Sequence, residues 1–152
     1  MKTTKQYGKK IDRALGMWVK LARAFHTMNA LADRNINTFG LTTPQFGALE
    51  CLGHLGSMTI GQLCKKMLVS GGNMTVVIDN LEREGLVERI RDTADRRKIL
   101  VRLTEKGRRL FKKIFVEHAE YIAELTSVLT AEEQEEVSRL LKKLGKNLEP
   151  LR

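Results

Sequence analysis

The chain has 152 residues and a formal net charge of +9, with 27 Lys and Arg against 18 Asp and Glu. This length allows a core of its own, and the basic excess favours a polyanionic partner, although many basic proteins have none. No apolar run is long enough to span a membrane and no secretory leader pattern begins the chain, which excludes a membrane protein and predicts a cytoplasmic location.

Charge is unevenly distributed along the sequence. Basic residues are concentrated between Lys2 and Arg13 and again between Arg83 and Lys113, whereas the last quarter is rich in Glu. Such asymmetry is typical of a protein that presents one face to nucleic acid and another to a different partner.

The first predicted element is a long amphipathic helix from about Lys10 to Asn35, in which Gly16 is the one candidate break. Its apolar stripe comprises Ile11, Leu15, Trp18, Val19, Ala22, Phe25 and Met28. The next helix is expected to begin with Thr43 as its N-cap and Pro44 in the first helical position, where the missing N–H costs nothing.

Two short helices are predicted next. Thr59 and Gln62 have the spacing of a capping box, which starts a helix that ends near Leu68. A second helix follows Ser70, a good N-cap. Its buried face is predicted to comprise Met74, Val77, Ile78 and Leu81. Two such helices joined by a turn, the second with a polar outer face, are typical of a helix-turn-helix.

Two short strands are predicted after this helix. Gly85 stands where the helix needs a left-handed stop, and the runs 86–91 and 99–103 flank a polar, basic stretch. Apolar residues alternate in the second run, which is the period of a half-buried strand. A helix followed by a basic hairpin suits the two grooves of duplex DNA, so the predicted fold is mainly α with a small antiparallel β-wing, a winged helix-turn-helix.

Two further amphipathic helices are predicted after Thr104 and Thr130, each of which is a suitable cap. The apolar stripes of the terminal helices are too long for a small winged domain to cover, and a second copy of the chain would cover them. We therefore expect a homodimer of a single-domain chain, residues 1–152. Dimerisation helices in about 10–37 and 105–150 would flank a DNA-binding core in about 41–104.

The most specific motif in the chain is Asp95-Arg96-Arg97, followed by Val101-Arg102-Leu103-Thr104 and Gly107. It resembles the wing signature of the MarR family of bacterial and archaeal transcription regulators, and the stretch from Asn80 to Arg89 is similar to that family's exit from the recognition helix. The resemblance covers nearly the whole chain. It implies a homodimer that binds a pseudo-palindromic operator, usually as a repressor released by a small molecule or an oxidant.

On the second helix of the pair, the predicted contacts to double-stranded DNA are Ser70, Gly72, Asn73, Thr75, Val76, Asn80 and Arg83. Asn73 can pair with an adenine edge, and the methyl groups of Thr75 or Val76 can meet a thymine methyl. Gly72 lets backbone N–H groups approach a phosphate. Asp79 is expected to pair with Arg83, four residues on.

In the loop of the hairpin, the predicted DNA contacts are Asp95, Arg96, Arg97 and Lys98. Arg97 is the expected minor-groove residue, with Asp95 bracing its guanidinium, while Arg96 and Lys98 would contact phosphates. The alternative, which stays open, is a solvated charged turn in which Asp95 and Arg97 only staple the hairpin.

The resemblance also implies an effector pocket between the dimer helices and the winged domain. Candidates for its lining are Met17, Trp18, Phe25, His26 and Phe46. Such residues at helical spacing are more often plain core. A pocket lined in this way suits a phenolic or other aromatic effector.

Two alternatives to an effector-released repressor remain open. One is a thiol-responsive regulator of the same fold that uses Cys51 or Cys64, although free Cys on an apolar face normally behaves as a small hydrophobe. The other is a non-specific nucleic-acid-binding helical dimer without an effector response. The sequence has no phosphate-binding loop, nucleophile elbow or metal-ligand spacing, so we expect neither an enzyme nor a cofactor or metal site.

Overall fold

The computed structural model describes residues 7–148. In chain order these form α1 (Lys9–Thr38), α2 (Thr43–Leu55), α3 (Ile60–Met67), α4 (Gly71–Arg83), β1 (Val87–Arg91), β2 (Ile99–Leu103), α5 (Glu105–Thr126) and α6 (Ala131–Leu148). Two compact units meet at His118 and Ala119, within α5. The predicted fold class, mainly α with a small antiparallel wing, is confirmed. None of the described helices is long and apolar enough to cross a membrane.

α1 is one continuous helix of 30 residues, so the expected break at Gly16 is wrong. A helical Gly costs about 1 kcal/mol relative to Ala, which is too little to interrupt so long a run of backbone hydrogen bonds. Much of the predicted stripe of α1 is exposed in the first unit: Ile11, Leu15, Trp18, Phe25 and Met28 are all more than a third accessible.

α2 begins one residue earlier than the sequence suggests. Its N-cap is Thr42, whose Oγ1 accepts a hydrogen bond from the Gln45 backbone N–H at 3.4 Å, while Gln45 Oε1 accepts from the Thr42 N–H at 2.9 Å. Thr43 and Pro44 therefore occupy the first two helical positions. Thr42 is the cap because only it has a glutamine three residues ahead, which completes a capping box.

The core of the first unit lies between the helices of the winged domain and its sheet. The predicted buried face of α4 is confirmed, since Met74, Ile78 and Leu81 are fully buried and Val77 nearly so. Burial of each such side chain contributes about 1.5–3 kcal/mol. α4 is thus anchored on one side, and its opposite side faces solvent.

The wing is an antiparallel pair of strands in which Val87 lies opposite Leu103. Val101 and Leu103 are buried, as their alternation predicts, whereas Ile99 at the open end is exposed. A third segment joins the sheet through an isolated bridge: Met58 N–H donates to Val101 O at 3.1 Å, and Met58 O accepts from Val101 N–H at 2.9 Å. Sequence periodicity did not predict this bridge, because one residue has no period.

The second unit contains the end of α5 and all of α6. The predicted cap Thr130 is confirmed and forms a capping box, with the Thr130 N–H donating to Glu133 Oε2 at 2.9 Å and the Glu133 N–H donating to Thr130 Oγ1 at 3.3 Å. No residue of α6 is buried within this unit. The exposed apolar residues of α6 are Val137, Leu140, Leu141 and Leu148.

Candidate nucleic-acid interface

α3 and α4 form the helix-turn-helix pair. The predicted capping box of α3 is present, since Gln62 N–H donates to Thr59 Oγ1 at 3.2 Å and Thr59 N–H donates to Gln62 Oε1 at 2.8 Å. The C-cap of α3 is Leu68, which has a left-handed φ of 59°. This conformation stops the helix, and the chain then extends through Ser70 into α4.

The exposed side of α4 presents the predicted DNA contacts. Gly72, Asn73, Thr75 and Val76 are all exposed, and Val76 is 57% accessible although it is aliphatic. Asn80 is half-buried at the edge of this surface. Backbone geometry makes Ser70 the N-cap, as predicted, but its side chain makes no capping hydrogen bond. The backbone N–H groups in the first turn of α4 therefore receive no hydrogen bond from the Ser70 side chain.

The expected pair between Asp79 and Arg83 is wrong. Asp79 instead accepts a hydrogen bond at 2.6 Å from Nη2 of Arg89 on β1, and Nη1 of Arg89 pairs with Glu82. Arg89 on the adjoining strand binds the carboxylates of Asp79 and Glu82 at once, whereas Arg83 on α4 itself pairs with neither. Arg83 is exposed in the last turn of α4, and no ion pair found among residues 7–148 includes it.

Asp95 organises the loop between β1 and β2. Its Oδ1 accepts hydrogen bonds from Arg97 Nε and from the Arg97 backbone N–H, both at 3.2 Å, and Lys98 Nζ lies 3.6 Å from Oδ2. The side-chain hydrogen bond from Arg97 is the main reason that the pKa of Asp95 is lowered. The predicted contact between Asp95 and Arg97 is therefore present. The Arg97 side chain is 92% exposed, so it projects from the loop into solvent.

A shallow hollow of about 300 Å³ lies beside this loop and is lined by Arg91, Asp92, Thr93 and Arg96. Sequence reasoning selected Arg96 but missed Arg91. The signal was available, because a hairpin places the last residue of its first strand beside the loop. Arg91 ends β1 and is exposed, so the basic surface of the wing extends from the loop onto the strand.

The predicted effector residues lie in two different environments of the first unit. Met17, Trp18, Phe25 and His26 are exposed on α1, where the Phe25 and His26 rings are 5.8 Å apart. Phe46 is instead buried in the core. Their assignment to one pocket stays a prediction.

Phe46 belongs to a junction of three helices that sequence reasoning missed. Its ring stacks on Phe39 at 6.5 Å and meets the His118 ring edge-on at 4.7 Å. His118 Nδ1 also lies 2.7 Å from Asn35 Oδ1, which joins α5 to α1. Burial lowers the pKa of His118, and the nearby Glu50 carboxylate opposes this effect. The sequence gives no local signal for this junction, because the partners of His118 are distant along the chain.

Both cysteines are half-buried and pack against the core. Burial raises the pKa of the Cys51 thiol, and Glu50 adds to the effect, while Lys66 opposes it. A raised pKa reduces the thiolate that reacts with oxidants, which argues against Cys51 as a redox sensor. Among residues 7–148, no three His, Cys, Asp or Glu side chains are grouped as a metal ion would require.

Comparison with known proteins agrees with this geometry. The model of the MarR family matches residues 41–99. The HTH-type transcriptional regulator MhqR of Bacillus subtilis strain 168 is 36% identical over 136 residues, which cover 90% of this chain and 94% of that protein. Such relatives are named as transcriptional regulators, which confirms the prediction that the chain is a regulator and not an enzyme.

Solved structures share the fold over most of the chain. A MarR family protein from Bacillus stearothermophilus has a TM-score of 0.72 and 29% identity, covering 90% of this chain and 96% of that one. A cysteine-to-serine mutant of MarR from E. coli, complexed with operator DNA, has a TM-score of 0.72 and 31% identity, covering 84% of this chain and 95% of that one.

Proposed function

Because the chain belongs to the MarR family of transcriptional regulators, we propose that it binds a specific sequence in double-stranded DNA and represses transcription until an aromatic effector releases it. One observation carries the proposal. The exposed face of α4, free of apolar packing, lies in the same compact unit as a basic hairpin whose tip, Arg97, projects into solvent. Helix and hairpin are the two elements that a winged helix-turn-helix presents to DNA.

α4 would read bases in the major groove. The amide of Asn73 can donate to and accept from an adenine edge, and the exposed methyl groups of Val76 suit a thymine methyl. Thr75 donates its hydroxyl hydrogen to Gly71 O at 3.1 Å, so this donor is used within the helix, while its methyl group remains available to a thymine methyl. Ser70 and Gly72, at the helix start, would allow backbone N–H groups to approach a phosphate.

The wing would place Arg97 in the minor groove. Two hydrogen bonds to Asp95 restrict its position before DNA is met, which lowers the entropy cost of inserting it. Arg96 and Lys98 are exposed on the same loop and would contact phosphates. Arg83 would act likewise from the end of α4, since Asp79 is engaged elsewhere.

The regulator would act as a homodimer on a pseudo-palindromic operator. Apolar side chains exposed on α1 and, separately, on α6 support this, because monomers rarely leave such stripes in water. Sedimentation should give twice the chain mass of 17.3 kDa. Introducing Glu at both Leu140 and Leu141 should shift the protein toward single copies, and a stable single copy of the unmodified protein would contradict the proposal. We place the regulator in the cytoplasm, where chromosomal DNA lies.

The decisive experiment is selection of bound duplexes from a pool with a randomised centre, followed by titration of the recovered duplex. Arg97→Ala should weaken binding about tenfold or more, with a salt slope lower by about 2, because each copy of the dimer loses one cationic contact. Arg139→Ala removes an equal charge from α6 and is the matched control. Equal binding to every duplex would instead favour the non-specific nucleic-acid binder.

Release by an aromatic effector can be tested with small probes. Phenol and benzoate should dissociate the complex with the selected duplex, whereas cyclohexanol and cyclohexanecarboxylate, of similar size, should not. The exposed rings of Trp18 and Phe25 support an aromatic ligand, since they offer stacking surfaces. Trp18→Ala should then reduce the response to phenol. Loss of repression in a reporter strain lacking the protein would establish the direction of regulation.

A further inference from the structure

Arg89 of β1 holds both carboxylates of α4. Its Nη2 donates to Asp79 Oδ1 at 2.6 Å, its Nη1 pairs with Glu82 Oε2, and its backbone N–H donates to Glu82 Oε1 at 3.2 Å. Charge-assisted contacts of this kind are about twice as strong as neutral hydrogen bonds. The hydrogen bond to Asp79 is also the main reason that the pKa of Arg89 is raised.

This cluster lies at the surface, on the side of α4 that would meet DNA. Asp79 follows Val76 by three residues and Thr75 by four, so it continues the exposed stripe by one helical turn. Its side chain is 49% accessible, compared with 38% for Glu82 and 26% for Arg89. A carboxylate in this position would face the phosphates at close range.

The charge balance of α4 makes that carboxylate costly. The charged residues between Gly71 and Arg83 are Asp79, Glu82 and Arg83 itself, so the helix alone has a net charge of −1. Repulsion between a partly exposed carboxylate and nearby phosphates amounts to about 1 kcal/mol or more at low salt. Arg89 brings the balance to zero from a neighbouring strand.

We propose that Arg89 is a positioning residue for DNA recognition, which neutralises Asp79 and Glu82 so that the exposed face of α4 can approach the phosphates. The inference rests on the proposed function. The proposed role differs from that of a purely structural link between α4 and β1, because DNA affinity would depend on neutralising the two carboxylates. Removing the carboxylates should therefore make Arg89 dispensable.

The test is a set of variants titrated with the duplex that the unmodified protein selects. Arg89→Gln should bind about tenfold more weakly at about 50 mM salt, and the loss should shrink at about 200 mM as screening increases. Adding Asp79→Asn and Glu82→Gln to Arg89→Gln should restore affinity to within about twofold. Arg139→Gln, which removes an arginine paired with Glu136 on α6, matches the charge change and should bind within about twofold of the unmodified protein.

Two results would overturn the inference: unchanged binding by Arg89→Gln, or a triple variant that binds as weakly as Arg89→Gln. Thermal unfolding of each variant separates binding from folding. If Arg89→Gln does not fold, the variant with Asp79→Asn and Glu82→Gln alone decides, because it should bind at least as tightly as the unmodified protein, and weaker binding refutes the inference. Failure of the unmodified protein to select any duplex would refute the proposed function instead.

Discussion

Gly107 is the residue at which one added carbon should cost most. A Cβ there would lie 1.9 Å from the backbone oxygen of Leu86, roughly 1.4 Å short of an ordinary carbon–oxygen contact of about 3.3 Å. Because the obstacle is backbone, no side chain can rotate to relieve it. Moving Leu86 also disturbs Thr104, whose N–H donates to Leu86 O at 3.1 Å and whose hydroxyl donates to Gly85 O at 2.7 Å.

The expected cost of Gly107→Ala follows from these contacts. Overpacking costs about 1–3 kcal/mol, and weakening the two hydrogen bonds adds about 1 kcal/mol each. Ala recovers about 1 kcal/mol over Gly within a helix. The free energy of unfolding should therefore fall by about 2–4 kcal/mol, which corresponds to a drop in Tm of roughly 5–15 °C.

Urea unfolding at one fixed protein concentration measures this change in the free energy of unfolding. The slope of that free energy against urea concentration should be the same for both proteins, which shows that they unfold in the same way. Gly16→Ala is the matched control, since a Cβ at Gly16 meets nothing within 4 Å and should stabilise α1 by about 0.5–1 kcal/mol. A Gly107→Ala protein within about 0.5 kcal/mol of the unmodified one would refute the steric argument.

The remaining predictions concern burial and protonation. Ile78→Ala should lower the free energy of unfolding by about 2–5 kcal/mol, because Ile78 is fully buried, and a loss below about 1 kcal/mol in urea unfolding would contradict this. Since the pKa of His118 is lowered in the folded protein, neutral His118 adds to the free energy of unfolding above its ordinary pKa of about 6.5, and this stability is lost as the pH falls toward the folded-state pKa. Between about pH 7.5 and 5.5, the free energy of unfolding should therefore fall less for His118→Gln than for the unmodified protein. Equal falls in the two proteins would exclude His118 as the cause. Iodoacetamide should alkylate Cys51 in the folded protein more slowly than in the urea-unfolded chain at about pH 7.5, as followed by mass spectrometry, and a faster reaction would reopen the redox alternative.

Local features of the fold were predictable because their causes are local. The capping box of Thr59, the left-handed stop at Gly85 (φ 69°) and the buried face of α4 depend on residues within one or two turns of each other. The contact between Asp95 and Arg97 belongs to the same group, since only two residues separate them. The MarR resemblance rested on two local stretches, from Asn80 to Arg89 and from Asp95 to Gly107.

Features that join distant parts of the chain were not predictable in this way. Asp79 has a suitable partner four residues away in Arg83, yet it pairs with Arg89, ten residues on, because β1 folds back beside α4. Met58 joins the sheet and His118 meets Asn35 for similar reasons.

Spacing within a few residues was therefore enough to predict the order of the elements, the caps of α3 and α6 and the side of α4 that faces solvent. The position of β1 beside α4 gave Asp79 and Glu82 their partner and left Arg83 available, and spacing along the chain did not predict either result. Arg97 and Arg83 stay exposed while Arg89 is engaged. That outcome depends on the distances between elements, which no local pattern encodes.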